Sequence, residues 1–315
     1  MTALAPEGRA PLWLKDDGCY GSIYGGNKVR KLEWLLADAR RRGARSILTA
    51  GGLATNWGLA AALYARRLGI ATEIALVDQP MDDHVRAQLA RLEAVAALHR
   101  TRSTPRTVAA APWLIVRRTL RDRRIPYLVG PGGSSARGTL GYVECALEIA
   151  HQVEDGILPA PSHVVVPLGS GGTAAGLALG LRMAGLRTQV VGVVVAHQLK
   201  LDARVVTRLA GRAAALLHRH GADVRDVRVG RGDLFITREW LGGGYGHRTS
   251  ESERALELAA AREGLELDPV YTAKAMAALL DLNARGSLGE SPVLFVNTYD
   301  SLSKFLPTWV EHAGD

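Results

Sequence analysis

The segment Gly25-Gly26-Asn27-Lys28-Val29-Arg30-Lys31-Leu32-Glu33 places a lysine just behind two glycines. The chain holds six lysines against 33 arginines, so positive charge is mostly written as arginine. A lysine differs in that its amine can lose a proton and attack a carbonyl, which a guanidinium does not do. Glycines beside such an amine let the backbone pass close to a bound group. The run Lys31–Arg42, apolar at Leu32, Leu35, Leu36 and Ala39, reads as a helix that anchors the segment to a core. Taken alone, the segment leaves two readings open: Lys28 as a nucleophile, or Lys28 as a solvated residue in a glycine turn.

Two further glycine-rich loops follow β-branched or apolar runs. One is Gly51-Gly52-Leu53-Ala54-Thr55-Asn56, after Ser46–Ala50. The other is Gly169-Ser170-Gly171-Gly172-Thr173, after Val164-Val165-Val166-Pro167-Leu168. The second combines glycine amides, two hydroxyls and the positive end of a following helix, which suits a phosphate. It is not a nucleoside-triphosphate loop, because no Gly-Lys-Ser/Thr follows it. Neither loop spells G-x-G-x-x-G, and the strand after the second ends in Val195-Ala196-His197 with no acid for a ribose. A monophosphate fits better than a dinucleotide.

The elements that must hold these loops alternate along the chain. Strands are expected at Ser46–Ala50, Glu73–Val77, Pro126–Val129, His163–Leu168, Gln189–Val195 and Val293–Asn297. Helices are expected at Thr55–Leu68, Asp82–Leu98, Pro105–Arg123, Thr139–Val153, Thr173–Ala184, Leu199–His220, Glu251–Arg262 and Thr272–Asn283. A last helix is expected around Ser301–Val310. This alternation predicts an α/β protein with open, mostly parallel sheets covered by helices. Ligands in such sheets bind where strand C-termini meet helix N-termini, where both glycine loops fall.

Composition removes other classes. The net charge of +8 comes from arginines scattered through helical segments, and aromatics make up 5% of the chain, too few for base-stacking platforms. Nucleic acid is therefore not an expected partner. Cys19 and Cys145 have no metal-ligand spacing and give no reason for a disulfide. Gly156–Leu181 lacks Asp, Glu, Lys and Arg, but three prolines, His163 and a glycine cluster interrupt it, so strand, loop and helix fit better than a membrane span. With no basic segment leading into an apolar one at its start, the chain reads as soluble and cytoplasmic, with no membrane partner. Arg231-Gly232-Asp233 is a tripeptide common by chance and carries no reading here.

A reactive lysine with a monophosphate loop points to pyridoxal phosphate, and the motifs then resemble one family. Leu14-Lys15-Asp16-Asp17, Gly25 to Glu33, Thr49-Ala50-Gly51-Gly52, Gly141-Tyr142-Val143-Glu144, Gly169 to Thr173 and Leu267-Asp268-Pro269-Val270-Tyr271 occur in that family's order. The chain resembles the fold-type II pyridoxal phosphate enzymes of the D-cysteine desulfhydrase / 1-aminocyclopropane-1-carboxylate deaminase family, from about Leu12 to its C-terminal helix. The resemblance implies a tryptophan synthase β-like fold. It also implies a large cofactor-binding domain (1–35 plus 139–315) and a small substrate-closing domain (36–138). Lys28 matches the lysine that carries the cofactor and shuttles the Cα proton. Gly169, Ser170, Gly171, Gly172 and Thr173 match the phosphate cradle, Asn56 the partner of the cofactor's phenolic oxygen, and Thr298 the partner of its ring nitrogen. Thr55 falls near the substrate carboxylate, and Tyr245 and Tyr271 match two tyrosines facing the substrate.

The implied activity is Cα deprotonation and β-elimination on a small amino acid, giving a 2-oxo acid and ammonia. A homodimer is the family's habit. The deaminase branch carries glutamate where this chain has Thr272, which turns the expectation away from cyclopropane opening. Three segments depart from the family pattern: Ala54-Thr55-Asn56-Trp57 for Gln-Ser-Asn-His/Gln, Thr298-Tyr299-Asp300 for Thr-Gly-Gly, and Tyr245-Gly246-His247-Arg248-Thr249 without a proline. Trp57 is open to either a substrate contact or a packing role. These departures leave two alternatives to the lyase: a β-replacement transferase in a specialised pathway, and a non-catalytic cofactor-binding protein.

Overall fold

Runs such as Val164-Val165-Val166 and Val190-Val191 have no polar interruption, which suits parallel strands buried on both faces. The computed structural model describes residues 1–5, 7–196, 200–244 and 246–302. In chain order its elements are β1 (Leu12–Asp16), α1 (Asn27–Arg41), β2 (Ser46–Gly52), α2 (Asn56–Arg67), β3 (Ala71–Val77), α3 (Asp83–Val95) and β4 (Ala97–Arg100). There follow α4 (Thr104–Asp122), β5 (Tyr127–Leu128), α5 (Ala136–Glu154), β6 (His163–Leu168), α6 (Gly172–Met183) and β7 (Gln189–Val194). The rest are α7 (Ala203–Arg219), β8 (Leu234–Thr237), α8 (Ser250–Glu263), α9 (Thr272–Ala284) and β9 (Val293–Asn297). No helix among the described residues is long and apolar enough to cross a membrane.

The chain divides into two compact units. The first comprises residues 1–20 and 134–301 and contains a five-stranded sheet in the order β1-β9-β6-β7-β8, parallel throughout. One core of this unit joins Val165, Val191 and Phe295 to Ala275, Met276 and Leu279 of α9. The second comprises residues 21–133 with Leu302 and contains a four-stranded parallel sheet in the order β4-β3-β2-β5. Its core joins Leu32, Leu35 and Leu36 of α1 to Leu59 and Leu63 of α2. That packing keeps α1, with Lys28, inside the second unit, so the units meet in sequence at Tyr20 and Gly133 where 35 and 138 were expected.

In the first unit α5 and α6 lie unusually close because α6 carries glycine every fourth residue. A Cβ on Gly176 would stand 2.5 Å from the Thr139 carbonyl oxygen and from Tyr142 Cβ, and one on Gly180 2.6 Å from the Val143 oxygen. Residues four apart share a helix face, so Gly172, Gly176 and Gly180 line one seam.

The structure departs from the sequence expectation where α3 gives way to β4, at the two outer strands of the larger sheet and at the start of α7. The helix expected over Asp82–Leu98 ends at Val95; Ala96 is extended (φ −143°, ψ 156°) and Ala97–Arg100 pairs with β3 as an edge strand. Apolar short runs such as Ala94–Leu98 fit helix or strand equally, and here pairing with Glu73–Leu76 decides. The strands β1 and β8, at the two edges of the larger sheet, were not expected. The helix expected around Ser301–Val310 lies outside the described residues from 303 onward, and the Leu199–His220 helix starts at Ala203.

Candidate active site

Lys28 sits in the first turn of α1, not in the glycine turn ahead of it. Gly26 is the N-cap with φ +75°, a left-handed value that glycine adopts without strain. The Lys28 ammonium donates to Asn27 Oδ1 at 3.2 Å and is half-buried. The loop ahead of it is held by Tyr64 of α2, whose phenolic oxygen accepts from Ser22 N (3.1 Å) and Tyr24 N (3.4 Å) and donates to Tyr24 O (2.7 Å). One helical turn beyond Lys28, Lys31 is buried with its amine donating to Gly132 O at 3.3 Å. Burial first, and then the nearby Lys28 charge, bring the Lys31 pKa down to about 7.

Thr55 and Asn56 lie at the C-terminal end of β2, where α2 begins. The Thr55 hydroxyl caps α2 by accepting from Gly58 N at 3.1 Å and keeps its own proton to donate. A Cβ on Gly51 would collide with this threonine, which is why the Gly-Gly pair precedes it. Asn56 Oδ1 accepts from Gln88 Nε2 of α3 at 2.8 Å, so the amide N–H pair is the side of Asn56 left to meet a ligand. Trp57 is 5% exposed, and its indole N–H donates to Thr49 Oγ1 at 2.9 Å. Its ring also occupies the space beside Gly133 (φ +67°), where a Cβ would come within 2.7 Å of Cζ3. Trp57 is therefore a packing residue of the second unit.

In the first unit, Gly169–Thr173 joins β6 to α6. Gly171 is the N-cap with φ +90°, and among the described residues nothing accepts from the amides of Ser170 or Gly171. Bare amides at the positive end of a helix form an anion cradle. The Gly172 amide donates to Ser134 Oγ at 3.0 Å, and Ser134 Oγ lies 2.7 Å from Ser170 Oγ.

Tyr271 is set beside this loop by a turn built on Asp268. The Asp268 carboxylate accepts from Val270 N (3.0 Å), Tyr271 N (2.6 Å), Thr272 N (3.2 Å) and the Thr272 hydroxyl (3.0 Å). The Tyr271 ring then covers Gly169: a Cβ there would stand 3.0 Å from Tyr271 Cε1. Thr272 is fully buried, so the residue that distinguishes this chain from the deaminase pattern acts as a lock on the turn. Thr298 follows β9 and is buried; Asn297 fixes its turn by donating to Asp16 Oδ1 (2.9 Å) and accepting from Tyr299 N (3.2 Å). Tyr299 is half-buried and Asp300 buried, so neither large residue is turned out to solvent. Tyr245 lies outside the described residues. Lys274 of α9 is buried and donates to Leu241 O (2.7 Å) and Gly244 O (3.0 Å).

Thus Tyr271 and the glycine loop come together in the first unit, while Lys28, Thr55 and Asn56 belong to the second. Sequence reasoning missed Tyr64, Gln88, Ser134 and the buried state of Lys31. Only Lys31 had a signal, its spacing of one helical turn from Lys28 in a lysine-poor chain.

Each unit by itself carries groups of a kind that suits pyridoxal phosphate: in the second, an amine on a helical turn and an oriented amide donor, and in the first, a glycine cradle closed to side chains by Tyr271 and Ser134. Comparison with known proteins agrees. The family described as pyridoxal-phosphate dependent enzyme matches residues 1–298. A D-cysteine desulfhydrase of Klebsiella pneumoniae is 35% identical over 294 residues, 91% of this chain and 86% of the relative. A D-cysteine desulfhydrase of Yersinia enterocolitica is 36% identical over 300 residues, with the same coverage. Among solved structures, an ACC deaminase homologue superposes with a TM-score of 0.78 at 33% identity, covering 93% of this chain and 85% of that one. An O-acetyl serine sulfhydrylase from Entamoeba histolytica shares the fold at a TM-score of 0.64 and 14% identity, covering 99% and 87%. The chain belongs to the pyridoxal-phosphate dependent enzyme family, with the fold-type II architecture of its D-cysteine desulfhydrase relatives.

Proposed function

We propose that this enzyme is a lyase that removes the Cα proton of a small amino acid and expels a group from Cβ, with D-cysteine as the first substrate to test. The net reaction consumes one water and yields a 2-oxo acid, ammonia and the departing group, which for D-cysteine is sulfide. Bound pyridoxal phosphate supplies the electron sink for charge developing at Cα. Lys28, as a neutral amine, takes the proton from Cα. The Asn56 amide, oriented by Gln88, donates to the cofactor's phenolic oxygen, and Thr298 meets its ring nitrogen with a neutral hydroxyl. Ser170, Gly171, Gly172 and Thr173 hold the phosphate, with Gly169 giving room for the Tyr271 ring. Thr55 donates to the substrate carboxylate, and Tyr271, with Tyr245, faces the substrate.

The observation that carries the lyase reading is Thr272: its hydroxyl is spent on Asp268 inside the fold, so no carboxylate follows Tyr271 to assist ring opening. The relatives named D-cysteine desulfhydrase support the same reading. The decisive assay incubates the holoenzyme with D- and L-cysteine and other amino acids bearing β-leaving groups, and measures 2-oxo acid and sulfide. Turnover that Lys28→Ala abolishes is expected; no 2-oxo acid from any member of the panel would reject the lyase. The departures at Tyr299 and Asp300 favour a second reading, β-replacement, in which added thiol is incorporated into a larger amino acid visible by mass. We also infer a cytoplasmic homodimer, to be tested by light scattering and cell fractionation.

A further inference from the structure

Ser134 and Ser135 are adjacent in sequence but serve different helices. Ser135 caps its own helix, α5, by accepting from Gly138 N at 3.1 Å. Ser134 instead reaches the N-terminus of α6, where its hydroxyl oxygen accepts from Gly172 N at 3.0 Å and pairs with the Ser170 hydroxyl at 2.7 Å. The contact is close: a Cβ on Gly172 would stand 2.6 Å from Ser134 Oγ. The seam of Gly176 and Gly180 against Thr139, Tyr142 and Val143 fixes α5 against α6. The two helix starts are therefore tied at one end by Ser134 and below by glycine packing.

This arrangement partitions the loop's donors. Gly172 N–H is taken by a protein oxygen. The amides of Ser170 and Gly171 have no acceptor among the described residues. The Ser170 hydroxyl is held within hydrogen-bond reach of Ser134, which fixes its rotamer. A loop rich in glycine has many conformations, and aiming its amides at one anion costs conformational entropy. A side chain that already holds two of its residues removes part of that cost before the anion arrives.

We propose that Ser134 is a positioning residue for the cofactor's phosphate: its hydroxyl pins Gly172 and Ser170 so that the Ser170 and Gly171 amides converge on the anion. The inference rests on family membership and on the geometry of the first unit, and is independent of which reaction the enzyme catalyses. In Ser134→Ala both bonds are lost, while in Ser135→Ala only the α5 cap is lost and the loop keeps its tie. Ser134→Thr retains the hydroxyl.

The test measures affinity, not turnover. Cofactor is stripped from each variant, and the dissociation constants of pyridoxal phosphate and of inorganic phosphate are found by spectral titration and calorimetry. Loss of a buried hydrogen-bonding hydroxyl predicts about tenfold weaker binding of both ligands to Ser134→Ala. Ser134→Thr is expected within about threefold of the wild type, and Ser135→Ala should lower thermal stability yet bind both ligands normally. Both readouts are equilibrium affinities that do not depend on which reaction is catalysed, so a failed lyase reading and a failed Ser134 reading give different results. Unaltered phosphate and cofactor affinities in Ser134→Ala would overturn the proposal. So would equal weakening in Ser135→Ala, since that would make the effect one of general helix stability. If Ser134→Ala does not fold, Ser134→Thr and Ser134→Cys decide: both binding like the wild type overturns the proposal, because the cysteine thiol is too weak a hydrogen-bonding group to replace the tie.

Discussion

Gly176→Ala and Gly211→Ala make the same chemical change inside two helices and should act in opposite directions. Alanine in a helix interior is favoured over glycine by about 0.8–1 kcal/mol. At Gly211, on the exposed side of α7, nothing lies within 4 Å of the new Cβ, so that gain should be realised almost whole. At Gly176 the new Cβ meets the Thr139 oxygen and Tyr142 Cβ at 2.5 Å and the Tyr142 carbonyl carbon at 2.9 Å. Two of these three neighbours are backbone, so no rotamer change relieves them and α5 must move off α6 by about 1 Å. Overpacking of this kind costs about 1–3 kcal/mol, and backbone contact puts it near the top of that range. Subtracting the propensity gain leaves Gly176→Ala destabilised by about 2 kcal/mol. Urea unfolding of the cofactor-free proteins, followed by circular dichroism, gives both values from shifts in midpoint at constant slope. A Gly176→Ala protein as stable as the wild type would refute the argument that glycine spacing, rather than chance, brings α5 and α6 together. Destabilised Gly211→Ala would refute its premise that empty space predicts the sign.

Asp268→Ala removes the acceptor for three backbone amides and the Thr272 hydroxyl; a loss of about 2 kcal/mol is expected, with a larger fall in activity than Thr272→Val because Tyr271 loses its mount. Unfolding midpoints and turnover of the two variants check this. For Lys31 the folded pKa is depressed to about 7 while the unfolded chain keeps the ordinary lysine value. Between these two values the unfolded state binds more protons, so the stability of the cofactor-free protein should rise from about pH 7 to about pH 10 and fall as pH drops through 7. Lys31→Met should reduce this slope in denaturation curves taken across that window. Some slope should persist, because burial also lowers Lys274.

Apart from the two-residue edge strand β5, marked by its place between Pro126 and Gly130, the strands that could be read directly were interior ones. Val164–Leu168, Val190–Val194 and Val293–Val296 are apolar because both faces are covered. The unread strands lie at edges: β4 is Ala-Leu-His-Arg, with no β-branched residue, and β1 and β8 are short and partly exposed. An edge strand needs only half the burial, so its composition carries half the signal. The site shows the same division. Lys28 and the Gly169–Thr173 loop were legible because their chemistry is local, a single amine and a run of glycines. Gln88, Tyr64 and Ser134 act across 32, about 40 and 38 residues of sequence, and nothing local marks a glutamine that orients an asparagine. The role of Trp57 likewise required knowing that Gly133 would lie against its ring.

That last pair constrains how this enzyme can change over generations. A residue with a Cβ at position 133 must both adopt a left-handed backbone and displace the indole of Trp57, so either substitution alone passes through a damaged intermediate. Shrinking Trp57 first would open a void in the second unit and leave Thr49 without its donor. Trp57 therefore constrains position 133 in one direction only: a smaller residue at 57 would relieve the clash, but the left-handed backbone would still call for glycine at 133. The tryptophan that departs from the family pattern is thus held by a hydroxyl close to it in sequence and by a glycine far from it.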